Sequence, residues 1–224
     1  REDDVDQRKR IAAHMATIQA TQLEAVEDAI QTWRTVLSWD DVDVHALREL
    51  DTLMMVNEDW YGLQEILGRL QPLVDSEEWS ELQYRLAKLH ENDDQLADIR
   101  QAILCHEALL ARTPAHEDAI DSLEAIITER DEREQAFEVL RPVLAAMEAW
   151  ERLWAQYQVL AHHSADMPQQ LLTRLHEMAA LADGDLALLP LFFFVAIVMG
   201  CCPSSSGATK ICTSVQLDQC CQWR

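Results

Sequence analysis

Apolar side chains recur along this chain at the spacing of one helix face. Ile30, Trp33, Val36 and Leu37 fall at i, i+3, i+6 and i+7, and Leu82, Leu86 and Leu89 keep the same stripe, as do Ile120, Leu123, Ile126 and Ile127. The pattern runs from about Asp6 to Ala182, and no Val-Ile-Thr run alternates as a strand would. Polar clusters interrupt it at Asp40-Asp41, Asn57-Glu58-Asp59, Asp75-Ser76-Glu77, Glu91-Asn92-Asp93-Asp94, Thr113-Pro114 and Ser164-Ala165-Asp166. Such residues suit helix starts, where a side-chain oxygen takes an orphan N–H and negative charge meets the positive helix end. The spacing predicts an all-α chain of about ten helices in five hairpins, with short connections that force neighbours to run antiparallel.

The chain also repeats itself. Shifted by 73 residues, Ala29 falls on Ala102, Ile30 on Ile103, Leu37 on Leu110 and Ala46 on Ala119. Leu47 falls on Ile120, Leu50 on Leu123, Leu53 on Ile126 and Leu67 on Leu140. Further on the offset slips by two, setting Trp79-Ser-Glu-Leu82 against Trp150-Glu-Arg-Leu153. A 73-residue period is two helical hairpins. One hairpin cannot cover both its faces, whereas stacked hairpins can, so the expected architecture is an α-solenoid. Armadillo and HEAT units run about 40–47 residues, longer than half this period.

The segment Ala102-x3-His106-x2-Leu109-Leu110-x3-Pro114 resembles the second helix of a tetratricopeptide repeat: a small residue, a large one four later and a loop Pro. Ala29-x3-Trp33-x2-Val36-Leu37-x3-Asp41 repeats it with Asp in place of Pro, and Ala136-x3-Leu140-x2-Val143-Leu144 is a third copy. First-helix positions are Leu47, Leu50 and Met54 in one unit and Ile120, Leu123 and Ile127 in another. Asp51 and Glu124 stand where that family keeps a small residue. Over residues 7–182 the chain is similar to divergent bacterial arrays in which two hairpin types alternate. The resemblance implies a concave groove lined by solvent-facing residues of the first helices. By position these are His45, Arg48, Thr52, Met55 and Val56 in one unit, and Asp118, Asp121, Ala125, Thr128 and Glu129 in the other. The Lys/Asn clamp that some members use for a partner's C-terminal carboxylate is absent, which disfavours chaperone-tail binding.

Charge sharpens this picture. The 224 residues carry 18 Lys and Arg against 40 Asp and Glu, a net charge of −22. An acidic surface disfavours nucleic acid, because it offers no cations to replace the counterions of a phosphate backbone. The second groove set is acidic too, so a basic or amphipathic protein segment is the expected partner. With five Gly and six Pro, the composition excludes a turn-rich β sandwich or barrel.

Candidate chemistry is sparse. Four of the eight His precede Glu, at His90, His106, His116 and His176, but the positions four further on are Asp94, Leu110, Ile120 and Ala180. Paired imidazoles on one helix face, as zinc proteases need, are therefore missing. His106 occupies a large-residue position of the repeat and reads as a half-buried core histidine. His162-His163 end a helix, where their charge suits the last carbonyls. Trp33, Trp60, Trp79 and Trp150 read as packing residues at equivalent hairpin positions, and Gly62, Gly68 and Gly184 are too isolated for a phosphate loop. No catalytic, cofactor or metal residues are assigned, and a non-enzymatic scaffold is expected.

The repeat domain is placed at residues 1–184 and a tail of different character at 185–224. Asp218, Lys210 and Arg224 are the only charges beyond residue 186, and Cys201, Cys202, Cys212, Cys220 and Cys221 are five of the six cysteines. The stretch from Leu186 to Cys202 is apolar with Pro190 inside it, at the short limit for a membrane span. Two readings fit this break: a frame lost near Asp185, or a genuine tail anchor, the one case in which a membrane is a partner. The start Arg1-Glu2-Asp3-Asp4 lacks a signal peptide and reads as that of a fragment, and a thiol-poor body suggests the cytoplasm. The alternative function is a membrane-anchored or enzyme-associated helical domain that positions a catalytic module.

Overall fold

A computed structural model describes residues 2–163 and three further helical positions, Gln169, Thr173 and Glu177. The 185–224 tail and its apolar stretch lie outside the described residues. The chain divides into two compact units, Arg1–Met147 and Glu148–Arg224.

Among the described residues the structure is all-helical, as the periodicity requires. The first unit holds α1 (Glu2–Thr21), α2 (Val26–Trp39), α3 (Val44–Val56) and α4 (Trp60–Leu70), the last extended by a 3-10 turn at Gln71–Leu73. It continues with α5 (Ser76–Glu91), α6 (Ile99–Arg112), α7 (Glu117–Glu129) and α8 (Arg133–Ala146). The second unit holds α9 (Trp150–His163). The tenth expected helix falls on the largely undescribed stretch after residue 163.

In the first unit α1 packs on α2, α3 on α4, α5 on α6 and α7 on α8. Linkers of a few residues leave no other arrangement than antiparallel hairpins. Between hairpins, α2 meets α3, α4 meets α5, and α6 meets both α7 and α8. The 73-residue register holds in the elements themselves: α6 begins and ends that far after α2, and α7 that far after α3. All eight residue pairs that matched in sequence are buried, from Ala29 and Ala102 to Leu67 and Leu140.

The polar clusters mark helix boundaries, but the residues that cap are often neighbours of those expected. Asp59 and Asp75 do cap, accepting from Gly62 N and from Glu77 and Glu78 N respectively. Asp40, Asn57, Asn92 and Thr113 instead close the preceding helices, while Asp43, Asp98 and His116 open the next ones. The imidazole Nδ1 of His116 accepts from Ala119 N at 3.3 Å. Gly62 is dictated by its cap, since a Cβ there would run into the Asp59 carboxylate.

Four connections turn through the left-handed region at Glu24, Glu58, Ala97 and Glu148, each two residues before the next helix begins. Glu24 and Ala97 are again 73 apart. None of the four is Gly, so the turns carry no sequence mark. The expected equivalence of the tryptophans needs correction. Trp33 lies mid-helix, Trp60 and Trp150 are first residues of α4 and α9, and Trp79 is the fourth residue of α5. The two-residue slip that aligned Trp79 with Trp150 is not kept, because α5 and α9 begin 74 residues apart.

Candidate functional site

The groove residues read from the sequence all lie on α3 and α7, and all ten are exposed. Inward neighbours fix this. Leu47, Leu50 and Met54 on α3, and Ile120, Leu123 and Ile127 on α7, are fully buried, so the opposite face of each helix looks out.

The α3 set is tied down by neighbours. His45 meets the Trp33 indole edge-on, with ring centroids 5.3 Å apart. Arg48 donates from Nη2 to both carboxylate oxygens of Glu78 of α5, at 2.9 and 2.8 Å. Thr52 donates its hydroxyl to the Arg48 carbonyl, and the Met55 sulfur lies 3.2 Å from Arg85 Nη2. Val56 is two-thirds exposed at the end of the helix. Arg85 also grips Asp51 of α3 through two bonds at 2.9 and 2.7 Å. The bond to Asp51 raises the Arg85 pKa against the opposing cost of burial.

The α7 set is chemically different. It presents Asp118, Asp121 and Glu129 beside Ala125 and Thr128, whose hydroxyl turns back to the Glu124 carbonyl. Here α5 approaches through Lys88, 3.4 Å from the Ser122 hydroxyl, and through Tyr84, whose ring lies 5.3 Å from that of His116. Helix α5 thus reaches toward α3 with Glu78 and Arg85 and toward α7 with Tyr84 and Lys88. A shallow open depression at its N-terminal end is lined by Glu77, Glu78, Glu81, Thr113 and His116. The guanidinium of Arg112 stacks on Trp79, 3.8 Å from the ring centroid.

Reading by repeat position named Asp51 only as a departure from the family's small residue and did not name Glu78, Glu81, Arg85 or Lys88. Copies of α5 at the 73-residue offset fall near α1 and α9, where the alignment slips. The available signal was opposite charge 30 to 34 residues apart, Arg48 with Glu78 and Asp51 with Arg85, side chains that meet between α3 and α5.

The histidines divide differently from expectation. His106 is fully buried rather than half-buried, and its Nε2 bonds Glu91 Oε1 of α5. Burial would push the Glu91 carboxyl up, but hydrogen bonds from His106 and Lys88 outweigh it and hold it below its ordinary range. His90, also buried, is pushed down by desolvation against the attraction of Asp98. Cys105 is buried with its thiol pushed up to about 11, which makes it unreactive. Among the described residues no three His, Cys, Asp or Glu side chains gather as metal ligands would, and no helix is long and apolar enough to cross a membrane.

No family model matches the chain, and no curated protein matches it.

Proposed function

We propose that this chain is a non-enzymatic protein-interaction scaffold of the tetratricopeptide type, whose stacked hairpins present the exposed faces of α3 and α7 as a groove for a basic or amphipathic segment of a partner protein. The observation that carries the reading is the paired burial at the 73-residue offset. Two copies of one core leave two copies of one exposed face, on α3 and on α7. In such an array shape and charge set affinity and encounter rate, and no reacting group is needed. The acids of α7 set the sign of the partner, while Met55 and Val56 of α3 supply apolar contact.

A labelled Lys/Leu amphipathic peptide, compared by fluorescence anisotropy with its Glu/Leu counterpart, tests this. The cationic peptide should bind more tightly, lose affinity as salt rises, and lose it again in an Asp118→Lys, Glu129→Lys double variant. Equal binding of the two peptides, or binding unmoved by both salt and the double variant, would reject the reading.

A further inference from the structure

The α5–α6 hairpin carries buried titratable groups where its counterpart is apolar. Trp33 of α2 and His106 of α6 stand at the same repeat position, both almost fully buried. Where α2 places an indole, α6 places an imidazole bonded to Glu91, whose side chain is 13% exposed. Lys88 bonds the same carboxylate and reaches Ser122 of α7, so one carboxylate links three helices. His90, next to Glu91 in the chain, is 4% exposed. The Nδ1 atoms of His90 and His106 are both buried without a hydrogen-bond partner among the described residues. A proton added to the Nδ1 of His90 finds no acceptor there, and the charge it brings is desolvated.

Polar and charged groups face the cluster from α5, α6 and α7. On α5 they are Tyr84, Lys88 and Glu91, with the Tyr84 ring 6.1 Å from that of His106. From the start of α6 comes Asp98, whose N–H donates to the His90 carbonyl and whose charge acts on His90. From α7 come Ser122 and, across Tyr84, His116. Helix α8, packed on α6, buries Phe137 and Leu140 on its inner face.

We propose that the α5–α6 hairpin is a proton-sensitive joint, closed while His90 is neutral and Glu91 ionised, which opens in mild acid before α2, α3 and α4 do. Above 6.5, the ordinary imidazole value, His90 is neutral folded or unfolded and the hairpin keeps its full stability. Because folding lowers that value, protonation favours the open form, and stability falls as pH drops below 6.5. Glu91 adds a second loss in the same direction, beginning below 4.5 as its carboxylate is protonated away from His106 and Lys88. Opening would also release the Lys88 tie to α7.

Hydrogen exchange of the full chain, read by mass spectrometry at about pH 7 and about pH 5.5 after correction for intrinsic rates, tests the joint without any ligand. It is therefore independent of the groove reading. Peptides from α5 and α6 should gain opening by up to about tenfold per pH unit, the limit for one proton, while peptides from α2 and α4 stay level. In His90→Leu the difference should vanish over this range. If that variant does not fold, the wild-type comparison still decides. Equal pH dependence in α5–α6 and α2–α4, or an undiminished difference in a folded His90→Leu or His90→Gln protein, would overturn the proposal.

Discussion

Two hairpins of this chain, α1–α2 and α5–α6, use one repeat position in opposite ways. In the first, Trp33 fills the interior with an indole that is 1% exposed, and His45 of α3 packs edge-on against it. In the second, the smaller imidazole of His106 occupies the place, and the interior is completed by a bond to Glu91 and the ring of Tyr84. The ionic contacts around the two differ as well. Lys9 of α1 pairs with Asp40 and Asp43 at the near end of α3, on the rim of the hairpin. Glu91 is largely buried against the core of its hairpin, and Lys88 reaches its carboxylate from the solvent side. At this position the first hairpin relies on apolar packing, while the second adds directed bonds between buried groups to an otherwise apolar core. Apolar packing tolerates changes of pH, whereas a buried polar network stabilises only in one protonation state.

The largest test of this contrast is truncation of the indole. Trp33→Ala should cost about 3–5 kcal/mol, read by denaturant unfolding, because it removes a large buried side chain and leaves a cavity. Replacing both partners, His106→Leu together with Glu91→Leu, should cost less than about 2 kcal/mol, since it exchanges a polar pair for apolar packing of similar size. Equal costs would break the contrast. An intermediate effect is expected at Glu91. Glu91→Ala should lose about 1–3 kcal/mol by leaving His106 Nε2 unpaired in the interior, and the loss should shrink when His106 is already Leu. Strict additivity in that double-mutant cycle would mean the two residues do not act as a pair. The smallest effect belongs to the rim. Lys9→Met should cost about 1 kcal/mol or less and matter less at high salt. For Asp43, burial acts upward, but bonds from Lys9 and the Ala46 N–H hold the carboxyl below 3.8. Its stabilisation is therefore complete above 3.8 and lost only as pH falls below it. Titration of unfolding in wild type and Lys9→Met should show the two curves converging in that acid range, well below the window of His90.

Much of this was legible along the chain. Period-3.6 stripes gave the helices, and the offset match gave core residues that are buried in both copies, such as Leu47 with Ile120 and Leu50 with Leu123. Exposure of His45, Arg48 and Asp118 followed from the same stripes, because a helix with one buried face must show the other. The caps were less legible. Asp40 and Asp43 are three residues apart and chemically alike, yet one ends α2 and the other starts α3. Only the backbone path distinguishes them. The left-handed turns at Glu24 and Ala97 were hidden because tertiary packing fixes a strained conformation that no local residue requests.

By itself, the sequence determined which residues face inward, since that depends only on rotation about each helix's own axis. It also determined that the pattern comes twice, since the period is a property of the string. The tertiary structure decided which charged and polar groups meet. His106 and Glu91 are 15 residues apart, and Arg85 and Asp51 are 34 apart. Whether such groups touch depends on how far one helix slides and turns against its neighbour. A shift of one residue moves a side chain by about 1.5 Å along the axis and 100° around it, enough to make or break a bond of under 3 Å. Hydrophobic burial tolerates such shifts because it is not directional, so its record survives in the sequence pattern; hydrogen-bonded pairs do not tolerate them, and theirs is written only in the packed fold.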